Sequence, residues 1–323
     1  MTKLAFICQR GLESFIDPIA QQFEKLTNEY QTHRYYVNCQ QDIVAAVKWA
    51  DIVWLEWANE ISIFATSIFD MRKKGVIMRL HSYEALSNMP EQIDFSVVDY
   101  LVFVAPHIKE ILKERIPDIE KKVYCKIIPN GVDIDNIQLN KNLSLYDISY
   151  VANINHKKEP ALALQIMAEL GTDYRLHIAG TMQDERYRIY MKHMAKEMGI
   201  ADNIIYYGFV QDMATWWEGK GIILSTSIHE GHPMNIIEGA ARGLRPVIHN
   251  FYGAKEMYPE NWYYNTTREP VSIITSPMDC KNGDLVLIDK TWLNSRDYII
   301  KKGWTTENQM KQIKKLVEKA GSK

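Results

Sequence analysis

Short apolar runs alternate with amphipathic stretches almost from end to end of this chain, the pattern of parallel strands joined by crossover helices. In the first half the strand runs are LAFIC (4–8), RYYVN (34–38), DIVWLEW (51–57), GVIMRL (75–80), DYLVFVA (99–105) and KIIP (126–129). Residues 13–27 place Phe15, Ile16, Ile19, Phe23 and Leu26 on one helical face, with Pro18 in the first turn, where a missing N–H costs nothing. The segment PNGVDIDNIQLNKNLSLYD (129–147) is polar, turn-rich and aperiodic, and reads as a linker. The alternation then restarts with strands at ISYVAN (148–153), YRLHIAG (174–180), NIIYYG (203–208), GIILST (221–226) and PVIHN (246–250), and helices near 158–170, 184–199, 211–219 and 233–243. Two α/β units of similar size, with no repeat between them, predict two Rossmann-like doubly wound domains facing across a cleft, 1–143 and 144–300. Ligands of such sheets bind at the carboxyl ends of the strands. In the tail 301–323, Met310, Ile313, Leu316 and Val317 form a helical stripe, read either as a surface helix or as one returning to brace the first domain.

Composition narrows the function. With 323 residues and 46% hydrophobic content, two cores are available, and a formal net charge of -2 with a pI near 6.5 supplies no basic field for nucleic acid. Cys8, Cys39, Cys125 and Cys280 are far apart and lack Cys-x-x-Cys spacing, so they read as reduced, buried thiols. No apolar run approaches the roughly 18–20 residues of a membrane span, and the expected location is cytoplasmic, with peripheral contact at the inner face of a membrane left open.

The candidate chemistry centres on SIHEGHPMNIIEGAARGLRPVI (227–248), a loop and a helix between two strands, with Gly243 placed to end the helix. That order leaves free backbone N–H groups near His232 to Asn235, where the helix dipole favours a phosphate or a sugar oxygen. Glu230 lies in the loop and Glu238 inside the helix; each can equally be a solvated acid. Trp216 and Trp217 read as helix packing. No clustered His/Asp/Glu set with ligand spacing calls for a metal or a cofactor, and none is expected.

The order Glu-Gly-x-Pro-x-x-x-x-Glu-Gly-Ala-x-x-Gly, then Pro-Val-Ile, resembles the signature of retaining glycosyltransferase family 4, enzymes of the GT-B fold. VDYLVFVAPHIKEILKER with KIIPNGVD is similar to that family's last N-domain units and inter-domain turn, and YVANINHKKEPALAL to the start of its donor domain. The likeness is clear over 97–260 and only one of pattern before that. It implies that Glu230 orients the transferred sugar, that the backbone of Gly231, His232, Pro233, Met234 and Asn235 holds sugar and diphosphate, and that Glu238 binds the ribose. Lys158 takes the place of the family's diphosphate lysine. Asn153 stands where the family has an arginine, so His156, Lys157 or Arg242 would have to substitute. GLRPV carries one residue more than the family pattern, which predicts an altered turn before the next strand, and Gly11 stands alone where relatives have a glycine-rich loop. On the acceptor side, MRLHSYEAL brings Arg79, His81 and Glu84 to a strand end, and His81 is the candidate to touch sugar or acceptor. The activity implied is metal-independent transfer from a nucleotide sugar to a sugar, lipid or protein, with retained configuration. A GT-B-type nucleotide-sugar epimerase and a non-catalytic nucleotide-sugar binder are the alternatives.

Overall fold

The computed structural model describes residues 1–276, 278–281, 284–287 and 294–322. Two compact units result: Met1–Gly131 with Thr306–Lys323, and Val132–Thr305. In the first, β1 (Thr2–Gln9), β2 (Tyr30–Val37), β3 (Ile52–Glu56), β4 (Gly75–Leu80), β5 (Tyr100–Phe103) and β6 (Tyr124–Ile127) form a parallel sheet in the order β2-β1-β3-β4-β5-β6. Every residue of β3 and β4 is buried, as expected of strands covered on both faces. One cover is the helix Asp17–Glu24, burying Ile19, Ala20 and Phe23. On the same face lies the helix Thr306–Ala320, whose Ile313, Leu316, Val317 and Ala320 join Ile19, Phe23, Leu4, Phe6 and Trp54 in one core. Gly75 admits it: a Cβ there would run into the Ala320 carbonyl.

In the second unit β7 (Ser144–Val151), β8 (Arg175–Ala179), β9 (Ile204–Gly208), β10 (Lys220–Ser225), β11 (Arg245–His249) and β12 (Tyr263–Tyr264) form a second parallel sheet, ordered β12-β11-β10-β7-β8-β9. Met278–Lys281 and Asp284–Leu287 pair as an antiparallel ribbon, β13 and β14. The strand order reverses between β1 and β3 in one sheet and between β7 and β10 in the other. At such points adjacent crossovers leave on opposite faces and open a crevice at the carboxyl ends.

Every run read as a strand is one, with its ends moved by a few residues. The two units divide at Gly131/Val132 and Thr305/Thr306 rather than at 143/144 and 300/301. The segment after Gly131 is tied down by its polar groups: the Val132 N–H donates to the Trp304 carbonyl (3.0 Å), the Asn140 amide to the Trp217 carbonyl (2.6 Å), and the Arg296 guanidinium to the carbonyls of Ile134 and Ile137. β7 also begins inside the stretch read as linker. Of the cysteines, Cys8 is buried, Cys125 half-buried and Cys39 exposed, so burial holds for one of the three described; the Cys280 side chain lies outside the described residues. Trp216 and Trp217 are buried as packing residues. No described helix is long and apolar enough to cross a membrane.

Candidate functional site

In the second unit, the carboxyl ends of β7 and β10 deliver the residues of the crevice. After β7 the chain makes a 3-10 turn over His156–Lys158, and Glu159 then adopts a left-handed backbone (φ 44°) before Pro160 starts the helix Pro160–Leu170. Left-handed geometry is costly for a glutamate and persists only where its surroundings fix it. Those surroundings are visible. The Lys158 carbonyl accepts from the Tyr150 hydroxyl (2.7 Å) and from the Thr226 hydroxyl (2.6 Å), and the two hydroxyl oxygens lie 2.9 Å apart. The Ile228 N–H donates to the Lys157 carbonyl (2.9 Å). The turn after β7 is thus stitched to the loop after β10.

The result is two ammonium groups on one carboxylate. Lys158 Nζ contacts Glu230 Oε1, and Lys157 Nζ lies 3.4 Å from Oε2. Glu230 is 5% exposed. Burial alone would raise its pKa, but Lys158, Lys157 and the Ser227 hydroxyl outweigh that and hold it below the usual carboxylate range. Burial lowers the Lys157 ammonium, with Glu230 opposing. One buried negative charge facing two positive ones leaves an excess of positive charge at this strand edge.

The helix Met234–Ala241 starts beside that pair, with Pro233 as its N-cap. Its first N–H groups, on Met234, Asn235 and Ile236, have no partner within the helix. The Asn235 side-chain amide donates to the Val151 carbonyl (2.8 Å), which fastens the helix start to the end of β7. Gly239 lets the helix lie close on β10, since a Cβ would press on Ile223, and Gly243 (φ 85°) closes it as expected. Gly231 and His232 are buried, and His232 meets the Trp304 ring edge-on at 4.6 Å. Glu238 projects from the helix, its pKa raised by burial against the opposing charge of Arg242.

Asn153 takes another place. Its amide oxygen accepts from the Thr181 N–H (3.1 Å) and hydroxyl (2.8 Å), clasping the end of β7 to the segment after β8. It supplies no cation; Lys157, at the neighbouring turn, carries one within 3.4 Å of Glu230.

In the first unit the carboxyl ends of β3 and β4 carry a buried polar cluster. Glu56 and Arg79 are cross-strand partners, linked by guanidinium contacts of 2.7 and 2.9 Å. Glu56 also accepts from the Trp54 indole (2.8 Å) and bonds His81 Nε2 (2.7 Å). Burial would raise the Glu56 pKa, yet Arg79 and His81 together hold it at about 2. Burial lowers His81, with Glu56 opposing. His81 caps the short helix Ser82–Ala85 in a capping box whose Glu84 arm takes the His81 N–H (3.2 Å). The same Glu84 oxygen takes the Ala58 N–H (3.0 Å), whereas Oε2 is buried with no partner among the described residues. Burial, against those backbone N–H groups, lifts Glu84 to about 7. Trp57 stacks on His81 (3.9 Å between centroids) from a left-handed backbone (φ 74°). His81 is therefore enclosed, with Nε2 committed to Glu56. It is no free base.

Sequence reasoning named Glu230, Lys158, Glu238 and the 231–235 loop; the second unit pairs Lys158 with Glu230 and sets Glu238 on the helix that follows the loop, opposite Arg242. It missed Tyr150 and Thr226, which look like ordinary strand-end residues. It also missed Glu56, although an acid in the apolar run DIVWLEW is a visible signal. Among the described residues no group of three or more His, Cys, Asp or Glu could hold a metal ion.

Residues 132–261, all in the second unit, match the family "Glycosyl transferases group 1". An uncharacterized glycosyltransferase of Haemophilus influenzae is 29% identical over 144 residues, 43% of this chain and 40% of that protein. The match thus spans about two fifths of that relative's length. Among solved structures, the lipopolysaccharide outer core galactosyltransferase WaaB in its apo form is similar with a TM-score of 0.71 at 17% identity, covering 98% of this chain and 99% of that one. Anabaena HepE in complex with UDP-glucose is similar at 0.76 and 14%, covering 99% and 100%. A glycosyltransferase from Rickettsia africae gives 0.76 and 15%, covering 99% and 98%. With its two parallel six-stranded sheets and flanking helices, the chain has the two-domain α/β GT-B fold.

Proposed function

We propose that this chain is a retaining, metal-independent glycosyltransferase whose Val132–Thr305 unit binds a nucleotide-sugar donor. The observation that carries the reading is the pair Lys157 and Lys158 on buried Glu230, four residues before the Met234–Ala241 helix, whose first N–H groups are not used within the helix. Two cations and a helix start can hold a diphosphate and carry the charge that develops as the sugar leaves. The loop 231–235 then lies along the sugar and diphosphate. Glu230 accepts from sugar hydroxyls, and Glu238 accepts from the ribose diol.

Retention follows, in this reading, from attack on the face the nucleotide leaves, with the departing diphosphate oxygen taking the acceptor's proton. Tyr150 and Thr226 hold the Lys158 backbone in place for this. His81, with Nε2 on Glu56, shapes the 81–85 turn rather than moving a proton. The acceptor is a hydroxyl of a sugar, lipid or protein. The family match over 132–261 and the fold shared with a protein described in complex with UDP-glucose support this reading and make UDP the first nucleotide to try.

The test is calorimetric titration with UDP, GDP and ADP and their glucose conjugates, with and without EDTA. One nucleotide is expected to bind unaffected by EDTA, and Glu238→Ala to weaken it at least about tenfold, the loss of hydrogen bonds to a half-buried carboxylate. Absence of binding by all three nucleotides would refute the assignment. Binding without any release of nucleotide from the sugar conjugate, across sugar and lipid acceptors, would favour a binding protein.

A further inference from the structure

We propose that Glu230 is a built-in counter-anion that competes with the nucleotide's diphosphate for Lys157 and Lys158, so that the site favours sugar-bearing donors over the free nucleoside diphosphate. This rests on the donor-site reading above. The side chains of Glu230 and Lys158 are 7% and 15% exposed, and Lys157 completes the group at 3.4 Å. An incoming diphosphate draws on the same two ammonium groups. It leaves the carboxylate buried and less well paired, a costly state for a charge with little access to water.

A free nucleoside diphosphate has nothing to offer that carboxylate. A donor that still carries its sugar has hydroxyl groups, which donate hydrogen bonds to an ionised acid. The sugar therefore relieves the cost that the diphosphate imposes. After transfer, Glu230 reclaims its lysines and weakens the hold on the product. The backbone bonds that fix both lysines, at the carbonyls of Lys157 and Lys158, keep them within reach of either anion.

The test uses Glu230→Gln, which keeps the shape and removes the charge, and Glu230→Asp, which keeps the charge and draws it back from the lysines. Each is titrated calorimetrically with UDP, UDP-glucose and inorganic pyrophosphate. Glu230→Gln is expected to bind UDP and pyrophosphate about fivefold or more tightly than the wild type, and to lose the preference for UDP-glucose over UDP by a similar factor. Glu230→Asp is expected to move in the same direction by about twofold, and decides the matter should the glutamine variant not fold. UDP and pyrophosphate bound no more tightly by the folded variants would overturn the proposal. A wild type that binds pyrophosphate but no nucleotide would sink the donor-site reading and with it the preference for sugar-bearing donors, while the pyrophosphate arm still decides whether Glu230 competes for the two lysines.

Discussion

Removing Arg79 should expose how much of the first unit depends on one buried charge. Glu56 and Arg79 are 0% and 1% exposed, and Arg79→Met leaves the carboxylate with only the Trp54 indole and His81 as partners. Breaking a buried pair from one side costs about 3–5 kcal/mol. The lowering of Glu56 itself, to about 2 from an ordinary 4.5, is the net of burial against Arg79 and His81 and corresponds to roughly 3 kcal/mol of pH-dependent stability. The sign follows from the lowered value. This stability is fully present above pH 4.5 and is lost as pH falls from there towards 2. Hydrogen exchange read by mass spectrometry separates the two units, so the loss is expected in peptides from 1–131 and 306–322 and not in 132–276. Adding Glu56→Gln removes the stranded charge and should restore at least about half of the lost stability, the pattern of coupled neighbours. An Arg79→Met cost below about 1 kcal/mol, or a double variant in which the two losses simply add, would refute the reasoning.

Glu84 should act with the opposite sign. Its carboxyl is raised from 4.5 to about 7, so the unfolded chain binds fewer protons between those values and stability falls as pH rises through that window. Glu84→Gln is expected to flatten this slope in denaturant titrations at pH 4.5, 6 and 8, and an unchanged slope would count against it. Tyr150→Phe removes one of two hydroxyl donors from the Lys158 carbonyl, at a cost of about 1 kcal/mol in urea unfolding. Calorimetry should also show weaker UDP binding, with a normal response to Glu238→Ala; unchanged UDP affinity would remove Tyr150 from the site.

Periodicity made the strands legible because both sheets are covered on two faces, and runs such as GVIMRL announce full burial. The Met234–Ala241 helix was legible from its own punctuation, Pro233 before it and Gly243 after it. Less local features were hidden. Lys158 and Glu230 meet because β7 and β10 pair in parallel, and nothing near either residue encodes that pairing. Asn153 was placed by analogy with a cation, whereas its amide is used by Thr181, a partner invisible along the chain. The unit boundary was masked because a polar segment is held like a core element when, as here, Arg296 donates to its Ile134 and Ile137 carbonyls and its own Asn140 donates to the Trp217 carbonyl. Cys39 sits between the part-exposed strand β2 and a polar helix start, where thiol burial does not follow.

The helix Thr306–Ala320 has a consequence for synthesis. It fills the core around Leu4, Phe6 and Trp54, so a chain still emerging from the ribosome holds an incomplete first unit while all of Val132–Thr305 is made. At ordinary elongation rates that interval lasts roughly ten to thirty seconds. The contiguous second unit can fold within it, ahead of the unit that begins the chain. Until residue 320 arrives, the face of β4 around Gly75 remains open to water and to chaperones.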